Sequence, residues 1–330
     1  MAERVSVVAT VLNESASIGR LLDSMAEQTR RPDELVIVDG GSRDGTLAIL
    51  ESFAQSAPFV MRVLARPGAN ISQGRNLAIS EAAGPIIAVT DAGVRLEPDW
   101  LEQLLAPFSS EPGPDVVSGF FVPEHRSFFE HVLGAVTLPS LQEIDPEHFY
   151  PSSRSVAFRR EAWEQVGGYP EWLDYCEDLL FDFSLADAGY CFAFAPDARV
   201  YFRPRGTLKA YLKQYYRYAR GDGKADFWRY RHLMRYATYL LALPVAIVLA
   251  TLHPAGWIAL AGVLGVLAWS PLKRVWPVLG EMEPLRRPLA LALAVFLRVA
   301  GDVAKMVGYP VGVHWRRRNA PPGDWAKRQW

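Results

Sequence analysis

Residues 86–95 read IIAVTDAGVR: apolar positions run into Thr90 and Asp91, then Ala92 and Gly93 follow before charge returns. A carboxylate at the end of a buried strand is costly unless something uses it. Nucleotide-binding sheets commonly place a second acid two residues on to hold a metal, and here that position is Gly93. Polar residues gather at comparable places elsewhere. Thr10, Asn13 and Glu14 close and follow the run VSVVAT (5–10), and DGGSRDGT (39–46) follows LVIV (35–38). Asp39 can accept from a nucleobase N–H, and Gly40–Gly41 allows close backbone approach. The same stretch also reads as a glycine turn with Asp44 capping a helix. It is not GxGxxG, which disfavours a dinucleotide oxidoreductase, and no GxxxxGK[ST] loop supports NTP hydrolysis.

These residues need a scaffold that brings them to one edge. VSVVAT, LVIV, VMRVL (60–64), IIAVT (86–90) and DVVSGFF (115–121) are short apolar runs. Between them lie helical patterns: Ile18, Leu21, Leu22 and Met25 on one face, a segment opening near Ser72, and Trp100, Leu101, Leu104 and Leu105 after Pro98. Continuous apolar strands separated by helices predict an α/β fold, a Rossmann-like, mostly parallel sheet covered on both faces. Such sheets bind ligands beyond the carboxyl ends of their strands, which is where the polar residues fall.

The 330 residues suffice for one large core or two modest ones, and the net charge of −1 implies no bulk polyanion partner, so no nucleic acid. The average conceals a gradient, because the C-terminal third holds nearly every long apolar run. The tail from His314 to Trp330 carries Arg316, Arg317, Arg318, Lys327 and Arg328 against Asp324. Cys176 and Cys191 match no metal or redox spacing, which suits a reducing compartment and no disulfide framework. The chain enters its first strand without a basic-then-apolar leader, which argues against secretion.

VVATVLNE, ELVIVDGGSRDGT, GRNLAISEAAGPIIAVTDAG and VGGYPEWLDYCEDLLFDFSLADAGY resemble family 2 inverting glycosyltransferases, in that family's order and at about its spacing, over residues 5 to roughly 205. The resemblance implies an A-type glycosyltransferase fold, a nucleotide-sugar donor of UDP or GDP type, and transfer by single displacement. By position it implies that Asp39 faces the base with Asp44 nearby, and that Arg75 lies near the diphosphate. It makes Asp91 the first acid of the Asp-x-Asp motif, near donor ribose or metal, and Glu177–Asp178 the catalytic Glu-Asp pair. Thr10, Asn13 and Glu14 belong with the donor-binding set.

The chemistry explains these types. As the sugar leaves, charge builds on the diphosphate and needs cations or a metal. The acceptor hydroxyl needs a carboxylate on the opposite face to take its proton. Asp178 opens EDLLFDFSLADAG, whose Leu179, Leu180, Phe183 and Leu185 read as helical before Gly189. Glu177 and Asp178 also suit plain macrodipole capping, and a helix N-terminus is a good place to keep an acid ionised. Two departures touch the metal: Gly93 replaces the second acid, and Tyr201, in ARVYFRPR, stands where many family members have a histidine. Asp91 with diphosphate oxygens can still hold an octahedral Mg²⁺ or Mn²⁺. Arg203 and Arg205 either neutralise diphosphate or form a basic surface turn around Pro204. In the turn-rich stretch where the family's acceptor cleft falls, Ser153, Arg154, Trp172 and Asp174 are acceptor candidates beside an ordinary surface or packing role. His125, His131 and His148 have no ligand spacing.

From Tyr236 to Leu272 there is no Asp, Glu, Lys or Arg. HPAG (253–256) splits the run into two segments, each near the lower limit of the ~17–25 residues of a spanning helix. Arg229, Arg231 and Arg235 precede the hairpin, and Lys273 and Arg274 follow it. The positive-inside rule then places both flanks, and the catalytic domain, in the cytoplasm of a multi-pass membrane protein. A third run, PLALALAVFLRVAGDVAKMVGYPVGV, sets Arg298, Asp302 and Lys305 on one helical face. It reads as a span with its polar face against protein, or as a helix lying in the interface. LKAYLKQYYRYARG (208–221) puts Leu208, Tyr211, Leu212 and Tyr215 on one face and reads as interfacial. Its Gln214, Arg217 and Tyr218 resemble the Gln-x-x-Arg-Trp motif of processive synthases, with Tyr for Trp, and are acceptor candidates beside a surface-helix role.

The expected organisation is a cytoplasmic glycosyltransferase domain over 1–206, an amphipathic interface helix and linker over 207–235, and a transmembrane hairpin over 236–272. A third membrane or interfacial helix over 284–313 and a basic tail over 314–330, suited to anionic headgroups, complete it. The expected activity is sugar transfer from a nucleotide sugar to a lipid-linked or glycan hydroxyl at the cytoplasmic leaflet. Transfer to polyprenyl phosphate, whose phosphate needs no base, and a non-catalytic scaffold that binds a nucleotide sugar are the alternatives.

Overall fold

A computed structural model describes residues 3–321, so Asp324, Lys327 and Arg328 of the tail lie outside the described residues. The strands are β1 (Val5–Val11), β2 (Glu34–Asp39), β3 (Val60–Ala65), β4 (Ile86–Val89), β5 (Val94–Leu96), β6 (Val116–Pro123), β7 (Val156–Arg159) and β8 (Phe192–Phe202). The first helices are α1 (Ile18–Ala26), α2 (Thr46–Ala54), α3 (Ile71–Glu81), α4 (Trp100–Leu105), α5 (Phe128–Thr137), α6 (Arg160–Val166) and α7 (Glu177–Asp187). The remainder are α8 (Leu208–Ala225), α9 (Arg229–Ala237), α10 (Leu243–Leu252), α11 (Gly256–Val275) and α12 (Arg287–Asn319). Two compact units result. One ends at Glu124 and resumes over Ser140–Arg203; the other comprises His125–Pro139 and the chain from Pro204. The stretch expected as one domain over 1–206 is therefore interrupted by α5, which belongs with the C-terminal helices.

The first unit is built on an eight-stranded sheet of order β3-β2-β1-β4-β7-β6-β8-β5. β1 lies parallel between β2 and β4, with Val11 opposite Asp39 and Val8 opposite Val89. β7 is antiparallel to both β4 and β6, and the short β5 is antiparallel to β8, so the far half of the sheet is mixed. Every residue of β2 and β4 is buried, as a sheet covered on both faces requires. Val8, Val36, Val38, Ile87, Val89 and Phe158 pack against Ala78 and Ile79 of α3 and Phe181 and Leu185 of α7.

The second unit is helical. Two stretches, Arg229–Leu252 and Gly256–Glu281, are long and apolar enough to cross a membrane, and only 6% and 17% of their most apolar windows are buried in protein. Residues Thr238–Ala242 form a π-helical turn just before Pro244, where proline removes a helical hydrogen bond. α12 continues past the expected end at residue 313 to Asn319 and lies along α8. Glycines bring these two helices together: a Cβ on Gly308 would meet the Tyr216 carbonyl at 2.2 Å, and one on Gly312 the Arg220 carbonyl at 2.1 Å. The apolar face of α8 is thus covered by α5 and α12, with Tyr211 in a core shared with Leu133, Val136, Ala294 and Leu297. The α12 polar face is also turned to protein, since Asp302 accepts from Arg298 Nε at 2.8 Å and Arg235 Nε at 2.7 Å. His125 and His131 stack at 3.8 Å, and His131 reaches Glu281 at 3.3 Å.

Candidate active site

α3 opens with a reciprocal cap, Asn70 Oδ1 accepting the Gln73 N–H at 2.9 Å and Gln73 Oε1 the Asn70 N–H at 3.1 Å. The helix sits close on β1 at Gly74, where a Cβ would come within 2.7 Å of Thr10 Cγ2. Arg75, the next residue, is 2% exposed. Its Nη1 donates to Glu177 Oε1 at 2.8 Å and its Nη2 to Asp91 Oδ1 at 3.0 Å. The other Asp91 oxygen lies 3.6 Å from Arg154 Nε. The Thr90 hydroxyl donates to the Arg154 carbonyl at 2.9 Å, which fixes that residue beside the end of β4. α3 also sets the approach to α7. Asn76 bonds the Tyr169 backbone on both sides at 2.8 Å, and Asn70 Nδ2 donates to the Glu171 carbonyl at 2.7 Å. Cys176 then adopts a φ of +64° to turn the chain into α7.

Glu177 and Asp178 differ in environment. Glu177 is buried against Arg75, whereas Asp178 is half-buried and accepts the Leu179 N–H at 2.9 Å. Burial, aided by the Asp178 charge, pushes the Glu177 carboxyl up to about 7 against the pull of Arg75. Asp182, one turn further along α7, is buried, and its Oδ2 is unpartnered among the described residues. Desolvation first, and then the Asp178 charge, raise its carboxyl well above the usual range. Sequence reasoning passed over Asp182, although an acid inside the buried stripe Leu180, Phe181, Phe183 and Leu185 was a signal. The sequence offers Arg154 as an acceptor candidate, and nothing in it links that residue to Asp91.

The loops after β1 and β2 are laced together. Asp39, 2% exposed, accepts from the Ser42 N–H at 3.0 Å, the Gly41 N–H at 3.3 Å and the Ser42 hydroxyl. Asn13, at φ +56°, donates its N–H to Ser42 Oγ at 2.8 Å and accepts the Arg43 N–H at 2.9 Å. The Glu14 N–H donates to Thr46 Oγ1 at 2.9 Å, and the Glu14 carboxylate bonds the Ser17 hydroxyl. Asp44 takes the hydroxyl and N–H of Thr46 and of Ser15, and these bonds, the Thr46 hydroxyl foremost, hold its carboxyl well below the usual range. The stretch DGGSRDGT therefore builds a turn and starts α2, at the carboxyl ends of two paired parallel strands.

Arg203 is exposed just past β8, and Trp172 and Asp174 are half-buried in the segment before α7. Arg205, Gln214, Arg217 and Tyr218 belong to the second unit, where Gln214 Nε2 donates to the Tyr218 hydroxyl at 2.6 Å. Tyr201 is spent on strand pairing, its ring 4.1 Å from the Arg95 guanidinium carbon. The donors at Asp91 do not fit an Asp-x-Asp metal site. Each Asp91 oxygen faces a guanidinium, Gly93 has no side chain, and Tyr201 offers no imidazole. Among the described residues no three His, Cys, Asp or Glu side chains are grouped to hold a metal ion.

A sheet of this topology, with an acid past β4 and a Glu-Asp pair opening a helix beside it, has the A-type glycosyltransferase fold. The chain carries a Glycosyl transferase family 2 domain over residues 6–166, which makes it a glycosyltransferase of inverting type. It is 29% identical over 316 residues to the succinoglycan biosynthesis protein ExoA of Rhizobium meliloti (strain 1021), covering 89% of this chain and 91% of the relative. It is 26% identical to glycosyltransferase AglE of Haloferax volcanii, over 72% of this chain and 79% of the relative. In fold it is similar to the mannosyltransferase PcManGT from Pyrobaculum calidifontis, solved in complex with GDP-Man and Mn²⁺. There the TM-score is 0.56 at 21% identity, over 97% of this chain and 88% of that one.

Proposed function

We propose that the first unit transfers a sugar, with inversion, from a UDP- or GDP-type nucleotide sugar to a hydroxyl of a lipid-linked or glycan acceptor. The observation that carries this reading is the division of labour at the start of α7. Glu177 is buried on Arg75, while the neighbouring Asp178 is only half-buried. Asp178 takes the proton from the acceptor hydroxyl as its oxygen attacks the anomeric carbon. The bond to the nucleoside diphosphate breaks on the opposite face, and the diphosphate leaves with its charge. Arg75 and Glu177 act as positioning residues that hold Asp91 and the start of α7. Asp39, Asp44, Thr10, Asn13 and Glu14 shape the donor end, with Arg203 nearby in sequence to the last strand. The apolar hairpin anchors the enzyme in the cell membrane, and the basic residues on both its flanks support a cytoplasmic catalytic unit at the leaflet of a lipid-linked acceptor.

The test uses the full chain in detergent with a panel of nucleotide sugars and acceptors, reading release of nucleoside diphosphate. Asp178→Asn should lower turnover by about 10²–10⁴-fold, the worth of a general base, while donor binding persists. Unchanged turnover in this variant would remove Asp178 as base and favour a phosphate acceptor. Donor binding without turnover by the wild type across hydroxyl and phosphate acceptors would favour a scaffold.

A further inference from the structure

We propose that Arg154 does at this site what a divalent cation does at an Asp-x-Asp site: seated on Asp91, its guanidinium meets the diphosphate of the donor, and donor binding needs no metal. This rests on the reading that the first unit binds a nucleotide sugar. Three observations carry it. Asp91 is already paired with two guanidiniums, one oxygen accepting from Arg75 at 3.0 Å and the other lying 3.6 Å from Arg154 Nε. A divalent cation bound there would face two guanidiniums held in place by other contacts, and like charges at that range repel strongly.

Second, the position that would carry the metal's main carboxylate is open in space. A Cβ on Gly93 would meet only the Glu14 carboxylate, at 3.8 Å, so position 93 has room for the side chain it lacks. Third, the two arginines are not equivalent. Arg75 is 3% exposed at its side chain and committed to two carboxylates, so it cannot turn to a ligand. Arg154 keeps 25% of its side-chain surface exposed. It is nonetheless pre-organised: Nη1 donates to Ser152 Oγ at 3.0 Å, and the guanidinium carbon lies 4.8 Å from the Phe202 ring and 5.9 Å from that of Phe121. A planar guanidinium held over aromatic rings and partly open to solvent, at the ligand edge of a sheet, suits bidentate phosphate recognition. Asp91 then orients Arg154 and offsets its charge when no donor is bound.

The test is binding of GDP and of UDP to the full chain in detergent, by calorimetry, after EDTA treatment and again with Mn²⁺ added. The wild type should bind one of these equally well in both conditions. Arg154→Gln should weaken binding in EDTA by about 10–100-fold, the loss of a charge-assisted hydrogen bond. Adding Gly93→Asp to Arg154→Gln should restore binding in Mn²⁺ only. Wild-type binding that appears only with Mn²⁺ would overturn this proposal and leave the enzyme reading standing. So would wild-type affinity of Arg154→Gln in EDTA, provided the variant melts like the parent. No binding of either nucleotide under any condition would overturn the donor-site reading itself, and this proposal with it.

Discussion

Arg75 is the residue on which the site turns, because one buried guanidinium is shared by carboxylates from two elements, Asp91 past β4 and Glu177 at the start of α7. Removing a buried charge of this kind strands its partners, which is why such arginines are structural before they are catalytic. Around Arg75 the acids outnumber the cations, and burial disfavours the charged forms of the carboxyls. Glu177 is pushed up to about 7 from the ordinary 4.5, and Asp182 is raised well above 3.8. For a carboxyl raised in the folded state, the folded chain binds protons more tightly than the unfolded one. Its contribution to stability is therefore full below the unfolded value and is lost as pH rises through the folded value. Asp182 offers the cleaner test, since its Oδ2 has no partner among the described residues and Asn is nearly isosteric. Asp182→Asn should flatten the fall in melting temperature between about pH 5 and about pH 8, with the variant the more stable at the upper end. A melting curve in detergent at both values checks this, and a parallel fall in wild type and variant would show that Asp182 carries no proton in the fold.

At the scale of elements, one glycine sits at the irregular point in the mixed half of the sheet. β6 shifts register against β8 between Ser118 and Phe120, and a Cβ on Gly119 would fall 1.9 Å from Ser155 Oγ. That hydroxyl accepts Trp100 Nε1–H at 2.8 Å and donates to the Ala198 carbonyl at 3.0 Å, joining α4, β7 and β8. Gly119→Ala must displace it, so overpacking adds to the loss of a buried hydrogen bond, on the order of 3 kcal/mol together. Denaturant unfolding followed by tryptophan fluorescence measures this, and a loss under about 0.5 kcal/mol, the level of an ordinary surface change, would show that the bulge relaxes freely. Nothing in the sequence marks Gly119 in this way, and the reason is general. β1, β2, β4 and β6 are legible because burial on both faces demands unbroken apolar runs. β5 is three residues long, and β7 lies among turn residues and is defined by pairing with β4 and β6, a non-local fact. Periodicity likewise finds the apolar face of α8 but not its cover, which is supplied by α5 and α12. The site divides the same way. Asp91, Glu177 and Asp178 stand out as acids at element ends, whereas Arg154 and Asp182 take their meaning from neighbours far along the chain.

For the whole molecule, the decisive feature is how much apolar surface the second unit leaves uncovered. Along Arg229–Leu252 and Gly256–Glu281, Leu252, Ile258 and Val266 are each about three-quarters exposed, and Trp257, Trp269 and Trp276 more than three-fifths. The membrane anchoring proposed above rests on this exposed apolar surface, which a soluble monomer rarely carries. The flanks of the hairpin are basic and its turn carries His253 and no Asp, Glu, Lys or Arg, and the proposed insertion has both flanks on the cytoplasmic side. That geometry makes a prediction about the chain's own thiols. Cys191 is exposed in the first unit and Cys176 is half-buried, with no disulfide between them. A membrane-impermeant maleimide should leave Cys191 unlabelled in intact bacterial spheroplasts expressing the full chain, and label it in inverted vesicles. In a Cys176→Ser, Cys191→Ser background, His253→Cys should give the reverse pattern, labelled from outside. Labelling of Cys191 in intact spheroplasts would put the catalytic unit outside and remove the cytoplasmic supply of nucleotide sugar. Equal labelling of both positions from one side would mean that the hairpin lies on the membrane without crossing it, and the acceptor would then have to be reached from a surface-bound enzyme.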